Sequence, residues 1–154
     1  MAIMPRPRGG DWLEEEIKSW RLARIDVVVD LLTNEEQIEL DLIDEEAVCR
    51  ANGVEYVSFP ITDRGIPTSR EAFSELITKI AEQLASSKNV AIHCRQGIGR
   101  AALIAICVLV ASGIEPATAT KQVGAARGCT VPETPEQRRW IADFSESLVA
   151  GRSK

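Results

Sequence analysis

Residues 93–100 read HCRQGIGR. The only histidine of the chain stands directly before Cys94, and Arg100 follows that cysteine by six positions, with Gly97 and Gly99 between them. A cysteine attacks as its thiolate, and a helix N-terminus or a nearby cation favours that form. Two glycines let a loop take positive φ, so that successive backbone N–H groups can turn toward one anion. An arginine closing the loop presents coplanar donors to two phosphoryl oxygens, beside the positive end of a helix dipole. The spacing therefore describes a cradle for a tetrahedral oxyanion with a thiolate beneath it. Taken alone, Cys94 reads as a buried residue in a structural strand-to-helix turn; four residue types in register are what favour the cradle.

The neighbouring elements must place this loop between a strand and a helix. "NVAIHC" is a short strand leading into it, and the apolar run from about residue 98 to 112 predicts a helix buried on all sides, ended by Gly113. Upstream, "IDVVVDLL" (25–32) is β-branched and nearly continuous, as a strand covered on both faces would be. "VEYVSFPI" gives another strand, closed by Pro60. Helical spacing appears in "DWLEEEIKSWRLA" with Asp11 as N-cap, and in "TNEEQIELDLIDEEAVCRANG", read as one helix stopped at Asn52-Gly53. It recurs in "TSREAFSELITKIAEQLASS", capped by Thr68 or Ser69, in "EPATATKQVGAAR", and in "TPEQRRWIADFSESLVA", with Thr134 as cap and Pro135 at the first helical position. Strands and helices in alternation predict one α/β domain over residues 1–154, with a short, largely parallel central sheet flanked by helices. In such sheets ligands bind where a strand gives way to a helix, which is where residues 93–100 fall.

Composition narrows the functional classes. With 18 basic and 23 acidic residues the net charge is -5, which argues against broad attraction to nucleic acid or an anionic membrane. The longest apolar run, 101–111, is too short to span a bilayer, and residues 1–10 hold no signal-peptide core, so a cytoplasmic protein without membrane insertion is expected. Cys49, Cys94, Cys107 and Cys129 form no C-x-x-C pair, which disfavours a cysteine zinc site and a disulfide scaffold. One histidine rules out a histidine-rich metal site and, lying beside the cysteine, disfavours a serine triad. Neither metal nor cofactor is expected, and nothing in the sequence speaks to oligomeric state.

The stretch HCRQGIGR matches the H-C-x-x-G-x-x-R signature, and the chain thereby resembles the cysteine-dependent protein tyrosine and dual-specificity phosphatases, most closely their compact microbial members. "FPITDRGIPTS" (59–69) resembles their general-acid loop, with Asp63 lying 31 positions before Cys94; "VDLLTNEE" and "VPETPEQRRWI" resemble two further family segments. The resemblance implies the cysteine-phosphatase fold, with Cys94 as nucleophile and Arg100 and the backbone of Arg95, Gln96, Gly97, Ile98 and Gly99 as phosphate ligands. It also implies Asp63 as general acid, His93 as the residue that shapes the loop, and Gln137 as a supporting residue that positions water. For Gln137 a solvated helix face is the competing reading, since Glu136 and Arg138 flank it. The family usually places serine or threonine straight after the arginine, where a hydroxyl assists the departing thiolate. This chain has Ala101, so slower breakdown of the phosphoenzyme is expected.

The substrate implied is a phosphorylated protein or a small phosphoester. With Tyr56 the only tyrosine and expected in a strand, no aromatic wall for a deep phosphotyrosine pocket is evident, so phosphoserine and phosphothreonine fit as well. A phosphoinositide substrate is weakened by the single basic residue, Arg95, among the variable loop positions; Arg6, Arg8 and Arg64 read as surface charges. A slow module that binds phosphoproteins, a sulfurtransferase and an arsenate reductase are the other classes that use such a loop. Some relatives also carry a second cysteine that captures the oxidised nucleophile; Cys49 occupies that place, although a plain buried cysteine is the simpler reading.

Overall fold

The β-branched segments form a four-stranded, wholly parallel sheet in a computed structural model that describes residues 1–153. Its strands are β1 (Ala2–Pro5), β2 (Val27–Asp30), β3 (Glu55–Ser58) and β4 (Val90–Cys94), in spatial order β1-β4-β2-β3. The helices are α1 (Leu13–Leu22), α2 (Asn34–Glu39), α3 (Glu45–Ala51), α4 (Arg70–Ala85), α5 (Arg100–Ala111), α6 (Pro116–Arg127) and α7 (Pro135–Arg152). Alternate residues of β2 explain its continuous apolar pattern: Val27 and Val29 pack with α4, α5 and α7, whereas Val28 packs with α1 and α3 on the other face. The sheet is thus covered on both sides, and its two central strands, β2 and β4, are fully buried.

Helix α5 is buried almost throughout, as its unbroken apolar sequence predicts, and it packs against β4, α4, α6 and α7. Phe73 of α4 locks this layer through edge-on contacts with Trp140 and Phe144 of α7. Ser69 caps α4, accepting from the Ala72 amide; Pro116 opens α6, and Pro135 opens α7 as expected. Among the described residues no helix is long and apolar enough to cross a membrane.

Four local expectations are corrected. The helix expected over residues 33–53 is two helices, because Asp41 turns to φ 56° and drops Leu42 into the core, redirecting the chain before α3. Asp11 makes no cap; it lies in a single 3-10 turn (Gly10–Trp12) ahead of α1. Helix α5 begins at Arg100 rather than near residue 98, since Gly97 and Gly99 still belong to the loop. Strand β1 was not anticipated: it is too short to show a period, and pairing with β4 alone defines it, in the register Met4 to His93 and Pro5 to Cys94.

Candidate active site

The loop between β4 and α5 walls a cavity of about 140 Å³, joined there by Asp63 and Arg64 from the segment after β3 and by Glu133 from the segment before α7. Cys94 lies at the end of β4, almost fully buried, and its Sγ accepts a hydrogen bond from the Gly97 amide at 3.2 Å. Gly97 has φ +74°, and an added Cβ would sit 2.6 Å from the carbonyl carbon of Met4, so only glycine fits. Arg95, Gln96, Ile98 and Gly99 line the same cavity as Cys94 and Arg100.

Arg100 is 2 % exposed, and every contact it makes carries consequence for the site. One terminal nitrogen donates to Glu36 Oε2 and to the Ile61 carbonyl, both at 2.7 Å. The other donates to Glu36 Oε1 at 2.9 Å and to Asp63 Oδ1 at 3.0 Å. A two-pronged pair with Glu36 therefore aims the guanidinium, while Ile61 and Asp63 bring the acid-bearing loop to it. Glu36 is held by its own helix end: Thr33 and Glu36 form a reciprocal capping box at the start of α2. Burial pushes the Glu36 carboxyl up, but hydrogen bonds from Arg100 and the Thr33 amide, the Arg100 charge and a further bond from Arg95 outweigh it and hold the group at about 2.

Behind the loop, on the face of the sheet shared with Trp20, His93 is wholly buried. Its Nε2 lies 2.6 Å from Glu45 Oε1 and 3.7 Å from Asp30 Oδ1. Asp30 is anchored by the Leu32 amide, the Gln37 amide group and the Tyr56 hydroxyl, the last at 2.6 Å. Burial raises Glu45 against the hydrogen bond of His93. Burial works against a charge on His93, yet the bond and charge of Glu45, with Asp30, raise it above the ordinary value.

Gln137 does not lie on a solvated face. It is fully buried at the third position of α7, where its Oε1 accepts from the Glu133 and Thr134 amides and its Nε2 donates to the Gly65 carbonyl. Its amide thus ties α7 to the acid-bearing loop two residues past Asp63. Arg64, at φ 59°, reaches across the cavity mouth to Glu133 at 2.7 Å. Arg95 pairs with Glu36 and Glu39, and Arg8 with Glu16, while Tyr56 lies in β3 as expected. Cys49 and Cys107 are free and buried, and burial pushes the Cys49 thiol up to about 12, with help from Glu45 and Asp30.

Sequence reasoning singled out Cys94, Arg100, Asp63 and the loop, and the structure brings these together around one cavity. It missed Glu36, Glu45, Asp30 and Glu133. Only Glu36 had a local signal, the T-x-x-E capping box within "LTNEE".

The chain is also similar to known proteins. Residues 2–114 match the family model Tc-R-P, described as "Polymorphic toxin system, DSP-PTPase phosphatase". The chain is 30% identical over 93 residues to cyclin-dependent kinase inhibitor 3 of Rattus norvegicus, covering 59% of this chain and 43% of that protein. It therefore spans less than half the length of that relative. The crystal structure of Tk-PTP in its active form superposes with a TM-score of 0.76 at 29% identity, over 94% of this chain and 88% of that one. PTPMT1, also solved in complex with PI(5)P, gives a TM-score of 0.81 at 17% identity, over 98% and 92% of the two chains.

Two outcomes follow from the carboxylates. Because Glu36 sits at about 2 when folded against an ordinary 4.5, its stabilisation is complete above pH 4.5 and is lost as pH falls from there toward 2. Glu36→Gln is expected to lower stability by about 3 kcal/mol at pH 7 and to flatten the decline between pH 4.5 and 2, read by urea unfolding across pH. Glu45→Ala, which strands a buried histidine, is expected to cost about 3–5 kcal/mol in the same assay.

Proposed function

The chain belongs to the DSP-PTPase phosphatase family of polymorphic toxin systems, and from that premise we propose that it hydrolyses phosphate monoesters on protein side chains through a cysteinyl-phosphate intermediate. The observation that carries this reading is the convergence on one small cavity of a buried thiol, a buried guanidinium and a carboxylate from a separate loop.

In the first step the Cys94 thiolate attacks phosphorus in line with the ester oxygen. The S–P bond forms, the P–O bond breaks, and its electron pair stays on the departing oxygen, which takes a proton from Asp63. Arg100 and the loop amides hold the equatorial oxygens, where charge is greatest. In the second step water attacks phosphorus and gives its proton to the Asp63 carboxylate; the S–P bond breaks, releasing inorganic phosphate and restoring the thiolate. Asp63 already contacts the outer nitrogen of Arg100, the one a phosphoryl oxygen would engage. Substrate binding displaces the carboxylate from that nitrogen and frees it for the leaving group. Gln137 supports the site by anchoring the loop that carries Asp63. We take residues 1–154 as one catalytic unit needing neither metal nor cofactor.

A protein substrate is favoured over a phosphoinositide by the charge at the cavity mouth. Arg64 is paired with Glu133, Arg95 with Glu36 and Glu39, and Arg100 with Glu36 and Asp63, so no arginine at the cavity is left over for a second phosphate once Arg100 exchanges Asp63 for the first. A headgroup with several phosphates needs several uncommitted cations, whereas a single phosphorylated side chain needs one cradle. A cavity with no aromatic residue in its lining leaves phosphoserine and phosphothreonine open as substrates as well as phosphotyrosine.

Metal-free hydrolysis of para-nitrophenyl phosphate, blocked by vanadate and abolished in Cys94→Ser, is the expected result. Asp63→Asn is expected to lower kcat by about 100-fold or more. Activity on thiosulfate or arsenate that survives loss of Asp63 would instead favour a sulfurtransferase or reductase. In Ala101→Ser, turnover is expected to rise and any pre-steady-state burst to shrink; unchanged kinetics would show that breakdown of the intermediate does not depend on that position.

A further inference from the structure

The phosphate loop is held from outside as well as from within. Three consecutive carbonyls, those of Arg95, Gln96 and Gly97, accept hydrogen bonds on the side away from the cavity. The Arg6 amide, just past β1, donates to Arg95 O at 3.3 Å. Arg127, in the last turn of α6, donates through its NH2 group to Gln96 O at 2.8 Å and through Nε to Gly97 O at 3.3 Å. A trans peptide is planar, so its C=O and N–H point in opposite directions. Drawing the three carbonyls outward turns the amides of Gln96, Gly97 and Ile98 inward. The middle peptide shows this directly: its oxygen is on Arg127 while its N–H, that of Gly97, is on Cys94 Sγ at 3.2 Å.

The same peptide is the one most able to turn over. Glycine at position 97 tolerates both signs of φ, so the Gln96–Gly97 plane has no steric bias of its own against rotating. Rotation would point a carbonyl oxygen at the thiolate and at any bound anion, replacing a donor with a repelling acceptor. An external donor on Gln96 O removes that alternative, and α6 supplies it with a fixed positive charge.

We propose that Arg127 is a positioning residue of the phosphate cradle: it keeps the Gln96–Gly97 and Gly97–Ile98 peptides oriented so that their N–H groups face the phosphoryl oxygens. It touches neither substrate nor thiol, and it acts through the two carbonyls it holds. This inference rests on the reading of the loop as a phosphate cradle.

The test compares the native chain with Arg127→Met, which retains the aliphatic stem, and with Arg127→Lys, which retains the charge. Competitive inhibition by inorganic phosphate and hydrolysis of para-nitrophenyl phosphate are measured beside thermal unfolding. Arg127→Met is expected to weaken phosphate inhibition by about 10-fold or more and to lower kcat, with its melting temperature close to native, and Arg127→Lys to recover part of both. Native-like phosphate inhibition in Arg127→Met overturns the inference, and so does a loss of binding that only tracks a fall in melting temperature. A native chain that neither binds phosphate nor hydrolyses the ester brings down the functional reading itself, which distinguishes that failure from the failure of Arg127 alone.

Discussion

A guanidinium that is almost entirely out of water must find its counter-charge inside the protein, and Arg100 finds it in Glu36. An unpaired charge at that depth would cost several kcal/mol, so the pair is a condition of the loop existing in this form. It also spans the structure: Arg100 opens α5, Glu36 sits in the first turn of α2, and the Ile61 carbonyl on the same nitrogen draws in the loop that carries Asp63. One electrostatic requirement thereby sets the relative placement of the three segments that meet at the cavity. The capping box of α2 makes the arrangement stiff, because the carboxylate that serves Arg100 is already bound by the Thr33 amide.

The remaining carboxylates divide by depth. Glu45 and Asp30 lie wholly buried around His93, where Glu45 contacts the ring Nε2 behind Cys94 and Asp30 lies beside it. Glu39 and Glu133 lie at the rim, where their ion pairs with Arg95 and Arg64 are partly solvated and individually weak. The interior set shapes the loop, and the outer set decides what charge a ligand meets on approach. A chain of net charge -5 thus concentrates a few donors at one point, with acidic residues holding those donors in place.

The loop itself was legible because its chemistry is local. Four residue types within eight positions carry the candidate nucleophile, the flexible backbone and the guanidinium, and the alternation of apolar strands and helices places them at the carboxyl end of a parallel strand. Less legible was everything that depends on contacts far apart in the chain. Glu36 and Arg100 are separated by 64 positions, Glu45 and His93 by 48, and Arg127 lies 31 positions past the carbonyl it holds. Glutamates in "TNEE" or "DEE" look the same whether solvated or paired, and Gln137 looked like a surface residue because its neighbours are charged. Strand β1 exists only through its pairing with β4, and the break between α2 and α3 comes from Leu42 turning into the core against the helical trend around it.

By itself the sequence determined the fold class and the cysteine loop, since these follow from residue type, short-range spacing and hydrophobic period, while Asp63 came in as the candidate acid through the resemblance of its segment to the family's acid loop. The tertiary structure decided which carboxylate holds Arg100, which one meets His93, which rim cations are already paired, and that Arg127 reaches the loop from α6. Those outcomes depend on burial and distance. A charged side chain takes its role from whether water or a partner surrounds it, and only the packed chain sets that.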